Sequence, residues 1–219
     1  MRKKVIDIAL DIETLSCRSD AAIISIAAVP FKLNGEHVDM QPFYEVINAT
    51  SCALYGMHFD EKTVSFWAEQ SPEAKAEFFA HPAVGIREAM ESFVGYVESI
   101  KIKYDCEVHI WSQGIDFDIP KVHNAIRKAL SVEELPWKYN QVRDARTFLL
   151  ELLQMYAGCC FIEMPENPYD LLPKREEEFI EHSALCDAQR MAENVQWVYG
   201  EVILLMGEGF RSSGNKEVK

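Results

Sequence analysis

"KVIDIALDIETL", residues 4–15, alternates with the period of a β-strand. Ile6, Ile8, Leu10 and Ile12 fall on one side, and Val5, Asp7, Ala9, Asp11 and Glu13 on the other. A run that is apolar on nearly both faces is the pattern of a central strand, covered from above and below. Asp11 and Glu13, two residues apart, project from one face at the carboxyl end of that run, a good way to present two metal-binding oxygens. Asp7 shares the face but lies roughly 13 Å from Asp11 along an ordinary strand, too far to join them.

Outward from this strand, "AAIISIAAVPF" (21–31) reads as a second strand bounded by Pro30. "QPFYEVIN" (41–48) reads as a third after the turn at Asn34–Gly35, which gives an antiparallel meander. Helical signals follow from Asp60 to Gln70, and from about Val84 to Ile100 with Ile86, Ala89, Met90, Phe93, Val97 and Ile100 on one apolar face. "CEVHIW" (106–111) is a short buried strand. "PKVHNAIRKAL" (120–130) is a helix with Val122, Ala125, Ile126, Ala129 and Leu130 inward, and "DARTFLLELLQMYA" (144–157) and "ALCDAQRMAENVQWVYGEVILLM" (184–206) are further helices. A meander followed by interleaved strands and helices predicts an α/β fold, a mixed sheet flanked by helices. One domain over residues 1–206 is expected, with a flexible tail over 207–219; residues 159–179 form a Pro-punctuated loop bordering a site.

The 219 residues are 48% hydrophobic and 26% charged, the profile of a globular protein. No segment reaches the length of a membrane span and no leader pattern opens the chain, so a cytoplasmic location is expected. Six cysteines without a CxxC pair suggest reduced, mostly buried thiols and exclude a zinc quartet. The formal charge of −13 argues against a passive nucleic-acid binder, which would show a basic face. It does not argue against an enzyme whose acidic ligands hold cations that meet the phosphate.

Two further acidic stretches supply partners for Asp11 and Glu13. "WSQGIDFDIP" (111–120) carries Asp116 and Asp118 where a strand gives way to a helix. "EHSALCDAQR" (181–190) places His182 before the last helix and Asp187 in its first turns. Asp11, Glu13, Asp187 and one central aspartate would carry four negative charges, enough to offset two divalent cations. An all-oxygen set suits Mg²⁺ or Mn²⁺. Two such ions about 4 Å apart clamp a phosphodiester, and a neutral imidazole, which ordinarily titrates close to physiological pH, is suited to take a proton from water.

"DIET", "GIDFD" and "HSALCD", in that order, resemble the three exonuclease motifs of the DEDD superfamily of DnaQ-like 3′-5′ exonucleases, in the subgroup with histidine in the third motif. The resemblance spans residues 7 to about 195 and implies a ribonuclease H-like fold. "KTVSFWAEQSP" (62–72) and "VRDART" (142–147) further resemble the branch containing phage exonuclease A and the adenylate-preferring mycobacterial exoribonucleases. Carried over residue by residue, the resemblance implies that Asp11 bridges two Mg²⁺ or Mn²⁺ ions, that Glu13 and Asp187 complete the first metal site, and that Asp118 serves the second. His182 would deprotonate the attacking water. Thr14 and Leu15 fall where relatives pack against the terminal nucleotide. The implied activity is removal of nucleoside 5′-monophosphates from the 3′ end of single-stranded nucleic acid, RNA favoured over DNA, and relatives are often homodimers.

The second motif offers two aspartates. With Asp118 as N-cap, Phe117 and Val122 take the spacing of a hydrophobic staple and Pro120 falls in the permissive first turn, which favours Asp118 over Asp116. Trp67 and Trp111 read as core residues, and Arg143, Arg146, Lys174 and Arg175 as basic groups available to phosphate. Three other readings share the sequence: a DNA-specific exonuclease, a catalytically inactive module of the same fold that binds protein partners, and an endonuclease of that fold that cleaves an RNA/DNA hybrid.

Overall fold

A computed structural model describes residues 3–72, 75–76, 81–174 and 182–213, those after Met206 as backbone only. The opening strand β1 (Lys4–Thr14) lies at the centre of a five-stranded sheet. On one side it pairs antiparallel with β2 (Ile23–Phe31), which pairs with β3 (Phe43–Val46), so the expected meander forms. A short helix α1 (Ala49–Leu54), α2 (Glu61–Glu69) and the long α3 (Ile86–Tyr104) then lead to β4 (Cys106–Ser112), which pairs parallel with β1 on its other side. After α4 (Ile115–Leu130) comes β5 (Val142–Asp144), a three-residue strand parallel to β4. Helices α5 (Ala145–Cys160) and α6 (Ala184–Ser213) follow. The sheet order is β3-β2-β1-β4-β5, mixed and flanked by helices.

The alternation of β1 builds three layers. Ile6, Ile8, Leu10 and Ile12 face the buried side chains of α3 and α4, and the six residues expected to form the apolar face of α3 are all buried. The opposite face is made of smaller groups. Ala9 of β1 and Ala27 of β2 share a cluster with Ala184, Ala188 and Ala192, which recur every four residues along α6, together with Leu149, Leu153 and Val195. Alanines on both sides let the helix lie close on the sheet, since helix spacing is set by the side chains at the contact. Asp7, on this face, is buried and accepts a hydrogen bond of 2.7 Å from Trp111 Nε1, so this carboxylate fixes a core indole rather than joining the acidic end of the strand.

Several expectations are corrected. Helix α4 starts at Ile115, and its cap is Gly114 rather than Asp118. Gly114 has φ 144° and ψ 75°, a conformation open to glycine, and its carbonyl accepts from Phe117 N at 2.7 Å and Asp118 N at 3.3 Å. The first N–H of the helix, that of Ile115, donates to the Asp144 carboxylate of β5 at 3.3 Å. A cap supplied from another strand is invisible to local spacing. Pro120 therefore stands within the helix, where it leaves the Asp116 carbonyl without its N–H partner. The cysteines are free, as expected, but Cys52 alone among them is buried; Cys17 and Cys159 are exposed. Trp111 is core, whereas Trp67 is half-buried on α2, a helix with no buried residue. Helix α6 runs to Ser213; residues 214–219 lie outside the described residues, as do 175–179 of the Pro-punctuated loop.

Enlarging the alanine seam tests its role. Ala188→Leu should destabilise the protein by about 1–3 kcal/mol through overpacking, while Ala68→Leu on the exposed face of α2 should change stability by less than about 0.5 kcal/mol. Urea denaturation followed by circular dichroism compares the two.

Candidate active site

A cleft of about 690 Å³ opens where the parallel strands β1 and β4 end. Crevices at the carboxyl ends of parallel strands are where α/β sheets bring together residues from several elements. Asp11, Ile12 and Glu13 line it from β1, Gln113 to Asp118 from the β4–α4 junction, Asp144, Arg146 and Thr147 from the start of α5, and His182 and Asp187 from the entry to α6.

Asp11, Glu13 and Asp187 each offer a carboxylate oxygen, and the three atoms lie within 4.8 Å of one another. The seam of alanines makes this possible, because it lays the first turns of α6 against the face of β1 that carries the two acids. Asp187 is braced by Arg190 one turn on, whose Nη2 meets its Oδ1 at 2.9 Å. Asp118 stands in the wall formed by α4. It is 5% exposed and accepts a short hydrogen bond from the hydroxyl of Ser112, the wholly buried last residue of β4. Asp116, also on the cleft, is solvent-exposed. The two aspartates diverge because residues two apart on a helix point to nearly opposite sides.

The electrostatics match a site built for cations. Burial pushes the Asp11 carboxyl well above the usual range, and the negative charges of Asp118, Glu13 and Asp187 push it further, with Arg190 opposing. Burial raises Asp118 to about 6 against the pull of its Ser112 hydrogen bond, Lys121 and Arg146. Lys121, 1% exposed, is lowered to about 8 by burial; its Nζ donates to the Phe117 carbonyl at 2.9 Å and sits over the Phe117 ring. Carboxyls raised in this way lack sufficient compensating positive charge from the protein. An oxygen-only donor set with excess negative charge fits a hard divalent ion such as Mg²⁺ or Mn²⁺.

His182 lines the cleft in a left-handed backbone conformation, φ 63°, just before α6. Thr14 and Leu15 lie beside the cleft without lining it: the Thr14 hydroxyl donates to the Ser16 carbonyl, and Leu15 packs against the apolar core. Of the basic groups, Arg146 reaches the cleft, donating to the Gln113 carbonyl at 3.1 Å. Arg143 is turned to His109 and the carbonyls of Asn140 and Val142, Lys174 is exposed, and Arg175 lies outside the described residues. Sequence reasoning missed Ser112, Lys121, Asp144 and Arg190. Only Arg190 left a local signal, an acid and a base three apart on a helix.

A mixed sheet with a central acidic strand, joined at its carboxyl end by acids from two flanking helices, defines a ribonuclease H-like domain of the DnaQ-like 3′-5′ exonuclease class. Residues 6–199 match the family model described as the 3′-5′ exoribonuclease Rv2179c-like domain, and the chain belongs to that family. Among solved structures it is similar to E. coli exonuclease I in complex with a dA16 oligonucleotide, with a TM-score of 0.56 and 14% identity over 95% of this chain and 43% of that one. It is also similar to cell-death related nuclease 4, with a TM-score of 0.52 and 12% identity over 88% of this chain and 62% of that one. The chain thus spans less than two thirds of either neighbour, and the likeness is one of fold. No curated protein sequence matches it. Among the described residues no helix is long and apolar enough to cross a membrane.

The raised carboxyls set a pH dependence. A folded-state pKa above the unfolded value means that the native protein holds protons the unfolded chain has released, so stability falls as pH rises through that interval. For Asp118 the interval runs from 3.8 to about 6. In EDTA, Asp118→Asn should raise the melting temperature at about pH 7.5, with a smaller gain at about pH 5. Mn²⁺ should raise that of the unsubstituted protein more at the higher pH. Differential scanning fluorimetry at the two pH values checks both, and equal Mn²⁺ shifts would contradict the assignment.

Proposed function

We propose that this cleft is the active site of a divalent-metal-dependent 3′-5′ exonuclease that releases nucleoside 5′-monophosphates from single-stranded RNA in preference to DNA. The observation that carries the reading is the convergence of Asp11, Glu13 and Asp187 within 4.8 Å, with buried Asp118 close enough to raise the Asp11 carboxyl and His182 on the same cleft. The exoribonuclease description of the family supports RNA. Its match over residues 6–199 supports a single catalytic unit within residues 1–206.

Asp11, Glu13 and Asp187 would hold one ion, and Asp11 with Asp118 a second, each Mg²⁺ or Mn²⁺. Such ions lower the pKa of bound water and neutralise charge on the phosphate and the departing oxygen. The protein's own groups do the rest. Ser112 and Arg190 hold Asp118 and Asp187 in place through the hydrogen bonds they donate. An imidazole nitrogen of His182 takes the proton from the attacking water as general base. Arg146, the one arginine lining the cleft among the described residues, offers its remaining N–H donors to a phosphate of the incoming strand. The acidic surface elsewhere repels polyanions, so productive binding is confined to the metal-loaded cleft.

Matched 5′-labelled RNA and DNA oligonucleotides, incubated with Mn²⁺ or with EDTA, test the reading. Expected are a ladder shortening from the 3′ end, faster on RNA, and no cleavage in EDTA. The absence of metal-dependent cleavage of either polymer would refute it, and faster cleavage of DNA would reverse the substrate preference. Asp118→Asn should slow the reaction by more than about 100-fold, and His182→Ala by about 10²–10⁴-fold, while Asp116→Asn should stay within about threefold because its carboxylate is solvated. Comparable losses from both aspartate variants would overturn the choice between them.

A further inference from the structure

Helix α2 has no buried residue, yet its attachments to the rest of the protein cluster at the edge of the cleft. Asp60, its cap, donates its N–H to the Leu15 carbonyl at 2.8 Å, and Trp67 Nε1 donates to the Thr14 carbonyl at 2.9 Å, one residue beyond Glu13. Neighbouring Phe66, 41% exposed, lies edge-on to Trp67 with ring centroids 5.7 Å apart. Both rings meet the His182 imidazole in T-shaped geometry, Phe66 at 5.2 Å and 82°, Trp67 at 6.1 Å and 78°. Among the described residues no carboxylate orients this imidazole, although a carboxylate commonly orients a histidine that works as a base. His182 also carries a positive φ of 63°, uncommon for a residue other than glycine and maintained only where surrounding contacts hold it.

Resting on the reading of His182 as the general base, we infer that Phe66 and Trp67 are positioning residues. Their ring edges fix the imidazole over the acidic cleft, and the Trp67–Thr14 hydrogen bond ties that cradle to the end of β1, so that the base and the carboxylates share one frame. The two roles of α2 separate by residue. Phe66 acts only through its ring, while Trp67 acts through its ring and its N–H. Neither reaches the three-carboxylate cluster, so their loss moves the base and leaves metal binding in place.

The test uses the full chain with Mn²⁺ and a labelled oligonucleotide. Phe66→Ala should lower kcat by about 10–100-fold, the cost of displacing a catalytic group by about an ångström, with KM and the Mn²⁺-induced rise in melting temperature unchanged. Phe66→Tyr should restore the rate, and Trp67→Phe should give a partial loss because it keeps a ring and drops the bond to Thr14. In a His182→Ala background Phe66→Ala should cost nothing more, since coupled residues are non-additive. If His182→Ala itself leaves kcat unchanged, the assignment of the base is wrong. If His182→Ala slows the enzyme but Phe66→Ala does not, or if the two losses multiply, the cradle is refuted while the base stands. Circular dichroism guards against misfolding, to which α2, with nothing buried, contributes little.

Discussion

Close contact between α6 and the sheet is the constraint on which the site depends. Glu13 and Asp11 reach the cleft from the end of a strand paired with β4 up to Ala9 and with β2 at both acids, so their positions are set by the sheet. Asp187 comes from a helix more than 170 residues later in the chain. It meets them because Ala184, Ala188 and Ala192 share a buried cluster with Ala9 and Ala27, small side chains that let the helix lie close on the sheet. Cohesion along that seam comes from dispersion and excluded water, and it must outweigh the repulsion of the carboxylates gathered at its end. The Asp11 carboxyl is raised first by its burial and then by that repulsion. Under the proposed function, a divalent ion held there would offset the same charges and so would couple metal binding to the stability of the folded chain.

Much of this was legible in the sequence, for particular reasons. The two-residue period of β1 and the spacing of the α3 apolar face are strong periodic signals, and the structure follows them residue for residue. The acidic pairs were legible as chemistry because each stands where a periodic run ends. What escaped depends on partners far away in sequence. β5 is three residues long and exists only because β4 offers it an edge. The start of α4 is set by Gly114 and by Asp144, about 30 residues on. The local case for Asp118, a capping spacing, therefore rested on a cap it does not form.

Helical geometry supplies the distinction that the capping spacing could not. Inside a helix, Asp116 and Asp118 are rotated by about 200° from one another, so one side of the first turn can bury a carboxylate only while the other exposes it. Val122, Ala125, Ile126 and Ala129 fix which side faces inward, and Asp118 falls on that side while Asp116 does not. Phe117 contributes its carbonyl to Lys121 and its ring to the same ammonium, which holds that cation beside Asp118.

The net charge of −13 then has a local meaning. Asp11, Glu13, Asp116, Asp118, Asp144 and Asp187 all line one cleft, faced by a single arginine among the described lining residues. Asp144 is occupied in bonding to the backbone of Ile115 and Thr147, and Asp116 is solvated. Asp11 and Asp118 both stay raised, Asp11 although Arg190 opposes the shift and Asp118 although its Ser112 hydrogen bond, Lys121 and Arg146 oppose it. Under the proposed function, a phosphodiester entering this cleft without bound cations would meet net repulsion, and cations held by the same residues would reverse it. On that reading, binding of a polyanion by so acidic a chain would require the same groups as its chemistry, and passive binding without cations would be disfavoured.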